Sequence, residues 1–135
     1  MQTIVGLGKA GCSIADQFAQ YPQYKIYKID TGLKKAPRCY NFPEYDHPEK
    51  YEENCPNLKR FFKDIKDDVL FVTSCGFISA ALLRILEQIR HKCQISILYI
   101  RPNRSLLSEL KLLSDNVIFH VLQEYARSTY LKEYI

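Results

Sequence analysis

The feature that most constrains the fold is the spacing of three glycines near the start of the chain, Gly6, Gly8 and Gly11. They begin within an apolar run at residues 3–7 and lead into a stretch with helical spacing, which is the order strand, tight turn, helix. In such a turn the first glycine permits a sharp exit from the strand, the second leaves no Cβ between the backbone and a bound phosphate, and the third allows close helix packing. The unpaired amides at the helix start favour an anion. We therefore expect a nucleotide or phosphate here; the alternative is a strand–helix turn that binds nothing.

Apolar spacing along the rest of the chain predicts strands that alternate with helices. The predicted strands lie at residues 3–7, 24–29, 69–73, 94–100 and 117–122, with one short further strand near 39–42. The predicted helices lie at residues 10–20, 57–65, 78–90, 103–113 and 123–134. Strands separated by helices of this length imply right-handed crossovers and a parallel sheet. The predicted fold class is α/β, a Rossmann-like three-layer domain with a mostly parallel sheet of about five strands and helices on both faces.

The chain of 135 residues has the size of one domain, and we treat residues 1–135 as a single nucleotide-binding-type unit. Residues 31–57 interrupt the alternation because they hold four of the six prolines and few aliphatic side chains. We expect a long irregular loop there, which in a compact domain is usually functional or mobile. The alternative is a surface cover for one edge of the sheet.

Charge and cysteine content exclude several classes of protein. The net charge of +4 is mild and its cations are scattered, so we expect no nucleic-acid partner. No apolar run approaches a membrane span, and no signal peptide opens the chain, so we expect no membrane partner. Five cysteines without a C-x-x-C pair indicate reduced, buried thiols. The expected location is the cytoplasm, or the host cytoplasm if the gene is viral.

The candidate ligand residues follow predicted strands. Because parallel strands end at one edge of a sheet, the glycine turn, Asp30 and residues 73–78 should converge there. Asp30 lies about 20 residues beyond the glycines, where an acid accepts from a ribose hydroxyl in dinucleotide-binding folds. Aspartate is equally common as a turn residue after a strand. No hydride-transfer partner or substrate domain is recognisable beside this NAD(P)-type pattern.

Residues 4–14 also resemble the first strand and turn of the tubulin/FtsZ family. Residues 29–31 lie where the bacterial members have Asn-Thr-Asp, and residues 67–73 resemble the strand before the family's phosphate loop. Residues 74–82 stand in place of that glycine-rich loop and share only Gly76 and Ser79 with it. The resemblance implies GTP or GDP as ligand, with or without Mg²⁺, and self-association in the manner of cytoskeletal proteins. The family's catalytic acids belong to a later segment, so the resemblance implies no hydrolysis by this chain.

Taken together, these patterns predict a set of nucleotide-binding residues: Gly6, Gly8, Lys9, Gly11, Cys12, Asp30, Gly76 and Ser79. Cys12 is equally explained as a small core residue, and Ser79 as an ordinary residue at a helix start. We predict no catalytic residue. We also predict no metal ligand, since the three histidines show no zinc spacing.

Three hypotheses for the function remain open. The first is a guanine-nucleotide-binding domain like the N-terminal half of a tubulin/FtsZ-type GTPase, incomplete for hydrolysis. The second is an NAD(P)-binding Rossmann module. The third is a non-catalytic structural or assembly protein that kept the fold and lost the ligand.

Overall fold

The computed structural model describes residues 3–127 and 131–134 of the chain. Strands and helices alternate along them, and two short 3₁₀ segments, Phe77–Ala81 and Arg104–Leu106, precede the last two α-helices. In chain order the elements are β1 Thr3–Leu7, α1 Gly8–Phe18, β2 Lys25–Asp30, β3 Cys39–Asn41, α2 Pro48–Glu53, β4 Asp67–Thr73, α3 Leu82–Ile89, β5 Cys93–Tyr99, α4 Glu109–Arg127 and β6 Leu131–Tyr134.

The strands form one parallel sheet in the order β3-β2-β1-β4-β5-β6. The chain runs outward from β1 to β3, then returns to the other side of β1 and runs outward again to β6. The strand order therefore reverses between β1 and β4, where Gly6 lies opposite Val72. In open α/β sheets this switch point is where ligands bind, beyond the carboxyl ends of the strands. The predicted Rossmann-like α/β fold is confirmed, with six strands among the described residues rather than about five.

The two faces of the sheet are covered unequally. Alternate strand residues point to opposite faces. Ile4 and Val72 face α1 and pack against Ala15 in a small core. The larger core on the other face holds Val5, Phe71 and the buried side chains of α2, α3 and α4. Parallel strands buried on both faces explain the continuous apolar runs in the sequence.

The segment at residues 31–57 holds more regular structure than expected. The short strand predicted near 39–42 forms β3 and pairs with β2 at the sheet edge. The prediction of an irregular loop misses helix α2. Pro48 does not interrupt this helix, because it lies in the first turn, where proline is well tolerated. The Nδ1 atom of His47 accepts from the Glu49 amide and caps that helix. The segment covers the sheet edge with contacting aromatic rings, among them Tyr40, Phe42 and Tyr51.

The helix predicted at residues 57–65 is wrong, although the apolar residues Leu58, Phe62 and Ile65 in this stretch are buried. The chain forms consecutive turns there instead. Side chains from the region of α3 satisfy the backbone: Gln88 Oε1 accepts from the Leu58 amide at 2.6 Å. Lys92 Nζ donates to the carbonyl of Phe62 at 3.1 Å. These long-range partners replace part of the hydrogen bonding that a helix would have supplied.

The strand predicted at residues 117–122 is wrong, and the helix predicted at 123–134 is confirmed only over residues 123–127, with residues 128–130 outside the described ranges. Residues 117–122 belong to α4, and the final strand is Leu131–Tyr134 where a helix was expected. The apolar run at 117–122 suggested a strand, but the buried residues Asp115, Ile118 and Leu122 recur at helical spacing. Helix α4 has 19 residues, and in the described ranges no helix is both long and apolar enough to cross a membrane.

Candidate functional site

The first and third glycines of the turn are required by packing between β1, α1 and β4. A Cβ on Gly6 would lie 2.6 Å from the carbonyl oxygen of Gly11, and a Cβ on Gly11 would lie 2.2 Å from the carbonyl oxygen of Val72. Real Cβ atoms essentially never approach other atoms within 3.0 Å. Both glycines therefore let α1 lie close to the sheet. This is the role predicted for Gly11, whereas the role predicted for Gly6 is a sharp exit from the strand.

The second glycine, Gly8, begins α1 with a φ of +80°, which side chains disfavour. A Cβ placed on it would lie 3.2 Å from Cγ2 of Ile78, in the loop that follows β4. An apolar methyl group thus packs against the glycine whose expected role was to approach a phosphate. The next two residues of α1, Lys9 and Ala10, are exposed, and among the described residues no side chain caps this helix start. Their amides remain available to an anion that approaches from solvent.

Asp30 ends β2, the strand beside β1, and is only 8% exposed. Burial raises the pKa of its carboxyl group, while a hydrogen bond from the Thr31 amide and the charge of Lys9 act in the opposite direction. A buried carboxylate beside the start of α1 therefore lies at the carboxyl edge, as the sequence predicted. It can accept hydrogen bonds from a neutral hydroxyl group.

The remaining predicted residues have other partners or lie apart. The Cys12 thiol is within bonding distance of the carbonyls of Gly6 and Ile29, and burial raises its pKa to about 12. Thr73 donates to the carbonyl of Leu7, so the hydroxyl of Ser79, 2.7 Å from that of Thr73, must donate to it. That leaves Ser79 without a donor for a phosphate.

Gly76 begins the Phe77–Ala81 segment and is exposed, with nothing within 4 Å of where its Cβ would lie. It therefore borders open space in the loop that follows β4. Its predicted contact with a phosphate stays a prediction.

A second polar cluster at the same edge was not predicted. Asp115 of α4 is fully buried and accepts hydrogen bonds from Tyr99, at the end of β5, and from Arg101 and Arg104 just beyond it. One signal for it was available, since Asp115 falls on the same helical stripe as Ile118 and Leu122. An acid on an apolar stripe needs partners. In the part of the chain that the structure describes, no group of three or more potential metal ligands is arranged to hold an ion.

The fold and the edge just described are those of a Rossmann-like protein, and comparison with solved structures gives the same class. A short chain dehydrogenase family protein from Francisella tularensis subsp. tularensis SCHU S4 is similar over 96% of this chain, with a TM-score of 0.62 and 10% identity. A short-chain dehydrogenase/reductase (wide type) from Veillonella parvula DSM 2008, solved in complex with NADP, is similar over 98%, with a TM-score of 0.53 and 12% identity.

The chain spans 65% and 66% of the lengths of these two proteins. No protein-family model matches the sequence. No curated protein matches it either.

The resemblance to the tubulin/FtsZ family, and with it GTP or GDP as ligand, is wrong. The similar structures are short-chain dehydrogenases. The glycine turn does not distinguish the two groups of proteins, because a strand–glycine–helix turn occurs in both. The stretch taken for a degraded phosphate loop forms a 3₁₀ segment, in which Ile78 packs against Gly8 and Ser79 bonds to Thr73.

Proposed function

We propose that this chain is a dinucleotide-binding module that takes NAD at the carboxyl edge of its sheet. The observation that carries the proposal is the convergence, at the switch point of a β3-β2-β1-β4-β5-β6 sheet, of a glycine turn, an uncapped helix start and the buried acid Asp30. The similarity to a dehydrogenase solved with NADP supports the same class of ligand. When bound, NAD would supply a hydride acceptor; we assign binding to this chain, not catalysis.

The residues fit the adenosine half of a dinucleotide in two respects. The amides of Lys9 and Ala10, two exposed residues at the start of α1, would suit the pyrophosphate, whose charge the helix dipole also favours. Asp30, one strand away, suits a ribose hydroxyl. Ile78 would form an apolar wall beside Gly8, so the pyrophosphate would lie on the solvent side of the turn.

Asp30 also favours NAD over NADP. The 2′-phosphate of NADP would bring about two negative charges next to a buried carboxylate, and neutral ribose brings none. Burial already disfavours the ionised form of this side chain, so a second anion nearby would be strongly opposed.

The test is titration of the chain with NAD, NADP and GTP by calorimetry, together with thermal unfolding at several ligand concentrations. We expect NAD to bind saturably and raise the unfolding midpoint with concentration, NADP to bind more weakly, and GTP to have no effect. Asp30→Asn should weaken NAD binding about tenfold, the loss of one hydrogen bond to a charged group. It should also reduce the preference for NAD over NADP.

Asp46→Asn is the matched control, because Asp46 is an exposed acid whose carboxylate pairs with Lys50. It should leave every affinity unchanged. An Asp30→Asn variant that binds NAD as tightly as the wild-type chain would refute the role of Asp30. Absence of saturable NAD and NADP binding by a folded wild-type chain would refute the proposed function.

A second candidate is the structural or assembly protein without a ligand, and the contact between Ile78 and Gly8 favours it. If this methyl group excludes the pyrophosphate, the wild-type chain will bind no dinucleotide, and Ile78→Ala will create measurable NAD binding. If NAD binds the wild-type chain, Ile78→Ala should change its affinity little. The two candidates therefore predict opposite results in one pair of titrations.

A further inference from the structure

The cluster around Asp115 holds more positive charge than its carboxylate requires. Asp115 has no exposed surface and accepts from the Tyr99 hydroxyl at 2.6 Å, from Arg101 Nε at 3.2 Å and from Arg104 Nη1. Burial alone would raise the pKa of Asp115, but the hydrogen bonds from Tyr99 and Arg101 and the nearby positive charge hold it below its usual value. The carboxylate is therefore ionised at neutral pH and carries one negative charge.

The guanidinium groups of Arg101 and Arg104 both contact that single negative charge. The two side chains are each 40% exposed, so both reach solvent as well as Asp115. Lys111 lies one helical turn before Asp115 on α4 and is exposed. Arg101, Arg104, Lys111 and Asp115 together carry a net charge of +2. The guanidinium carbon of Arg101 lies 4.0 Å from the centre of the Phe119 ring, which fixes its plane.

The backbone around these arginines is braced before any ligand arrives. Ser74 donates to the carbonyl of Ile100 at 2.6 Å, which ties the loop after β4 to the end of β5. Ser114 of α4 donates to the carbonyl of Cys75 at 3.1 Å. The cluster thus lies at the carboxyl edge of the sheet, on the opposite side of β1 from Asp30.

We propose that Arg101 and Arg104, with Lys111 one turn before Asp115 on α4, form a binding site for the oxyanion of a small molecule, a carboxylate or a phosphate group. Guanidinium groups match the geometry of both oxyanions, and a fixed pair of them loses little freedom on binding. The charged group of Asp115 holds the two arginines in place and contacts no ligand. Where the proposed NAD site is also correct, this site lies on the half of the edge that the adenosine does not occupy, so it selects an anionic substrate.

The structural alternative is that both arginines only pin residues 100–108 to α4. It predicts that removing one arginine lowers stability without changing any anion affinity. Arg104→Gln separates the two ideas, because Arg101 still pairs with Asp115 in that variant and keeps the carboxylate compensated. Arg84→Gln is the matched control. Arg84 is an exposed arginine on α3 whose Nε atom lies 3.9 Å from Oε1 of Glu52.

The experiment is an NMR titration of the whole chain with sodium malonate and, separately, with inorganic phosphate, at constant ionic strength maintained with sodium chloride. We expect saturable shifts of the Arg101 and Arg104 side-chain signals and of residues 74–76. Arg104→Gln should weaken binding about tenfold, since it removes one charge-assisted contact. Arg104→Lys should bind with intermediate affinity, and Arg84→Gln should bind as the wild-type chain does.

Saturation with malonate alone identifies a carboxylate site and saturation with phosphate alone identifies a phosphate site; either result supports the proposal. Shifts that rise without saturation, or saturate with equal affinity in Arg104→Gln, overturn it. The titrations contain no NAD, so they stand apart from the proposed dinucleotide function. Failure of NAD to bind would leave this site standing, and failure of the anions to bind would leave the NAD site standing.

Discussion

Replacing Gly11 with alanine tests the packing of α1 on the sheet. The added Cβ would lie 2.2 Å from the carbonyl oxygen of Val72, whereas Cβ atoms keep at least 3.0 Å from other atoms. Helix and strand must therefore separate by roughly 1 Å, and neither side of the clash is a flexible side chain. Overpacking of this kind costs up to about 3 kcal/mol, and the better helix propensity of alanine returns about 1 kcal/mol. We expect a net loss of about 2 kcal/mol in the free energy of unfolding, measured by urea denaturation, or roughly 6–8 °C in the unfolding midpoint.

Substitutions at two other glycines distinguish the effect of a steric clash from the effect of backbone strain. Gly32 has a φ of +72° with nothing within 4 Å of its Cβ position, so Gly32→Ala should cost about 1 kcal/mol from strain alone. Gly76 has neither feature, and Gly76→Ala should change the stability by at most about 0.5 kcal/mol. A Gly11→Ala chain as stable as the Gly76→Ala chain would refute the argument that a close backbone contact requires this glycine.

Three further predictions follow from the buried polar groups. Asp115→Asn should lower the free energy of unfolding at pH 7 by at most about 3 kcal/mol. This is the low end for breaking a buried ion pair, because both arginines keep solvent contact. The folded-state pKa of Asp115 lies below its unfolded value of about 3.9. The stabilisation by the ionised carboxylate should therefore be complete above about pH 3.9 and disappear as the pH falls through the folded-state pKa. Urea denaturation at several pH values measures this stabilisation. Asp30→Asn should instead raise the unfolding midpoint at pH 7, because burial raises the folded-state pKa of Asp30 and ionisation above that pKa opposes folding; an unchanged or lower midpoint would contradict this. The Cys12 thiol, with its pKa raised to about 12, should resist alkylation in the folded chain at pH 8 and react once urea unfolds it, as mass spectrometry would show.

The sequence predicted those parts of the fold that depend on local spacing. The run before Gly6 gave β1 with its observed ends, and the alternation of apolar runs with helical stripes gave the parallel sheet. Leu58 and Phe62 are buried, as their apolar side chains favour, although the helix predicted around them does not form. Burial depends on which residues are apolar, whereas the conformation there depends on side chains such as Lys92, about thirty residues further along.

The candidate site was predictable only in part, for the same reason. Asp30 and the glycine turn are local features, and both lie at the expected edge. The contact of Ile78 with Gly8 joins residues 70 positions apart, and no spacing rule predicts which side chain meets that glycine. The pairing of Asp115 with arginines beyond β5 likewise depends on how α4 returns across the sheet.

The close fit of α1 on the sheet has a consequence for how glycine patterns are used to infer binding. In this chain Gly6 and Gly11 are required because neighbouring main-chain atoms leave no room for a Cβ atom. Gly8 is favoured because its φ angle is positive. A related chain that bound no dinucleotide would still lose stability if any of the three were replaced, so all three would persist. Surveys of such proteins would therefore separate binders from non-binders better by the residue opposite the middle glycine, Ile78 here, than by the glycines themselves.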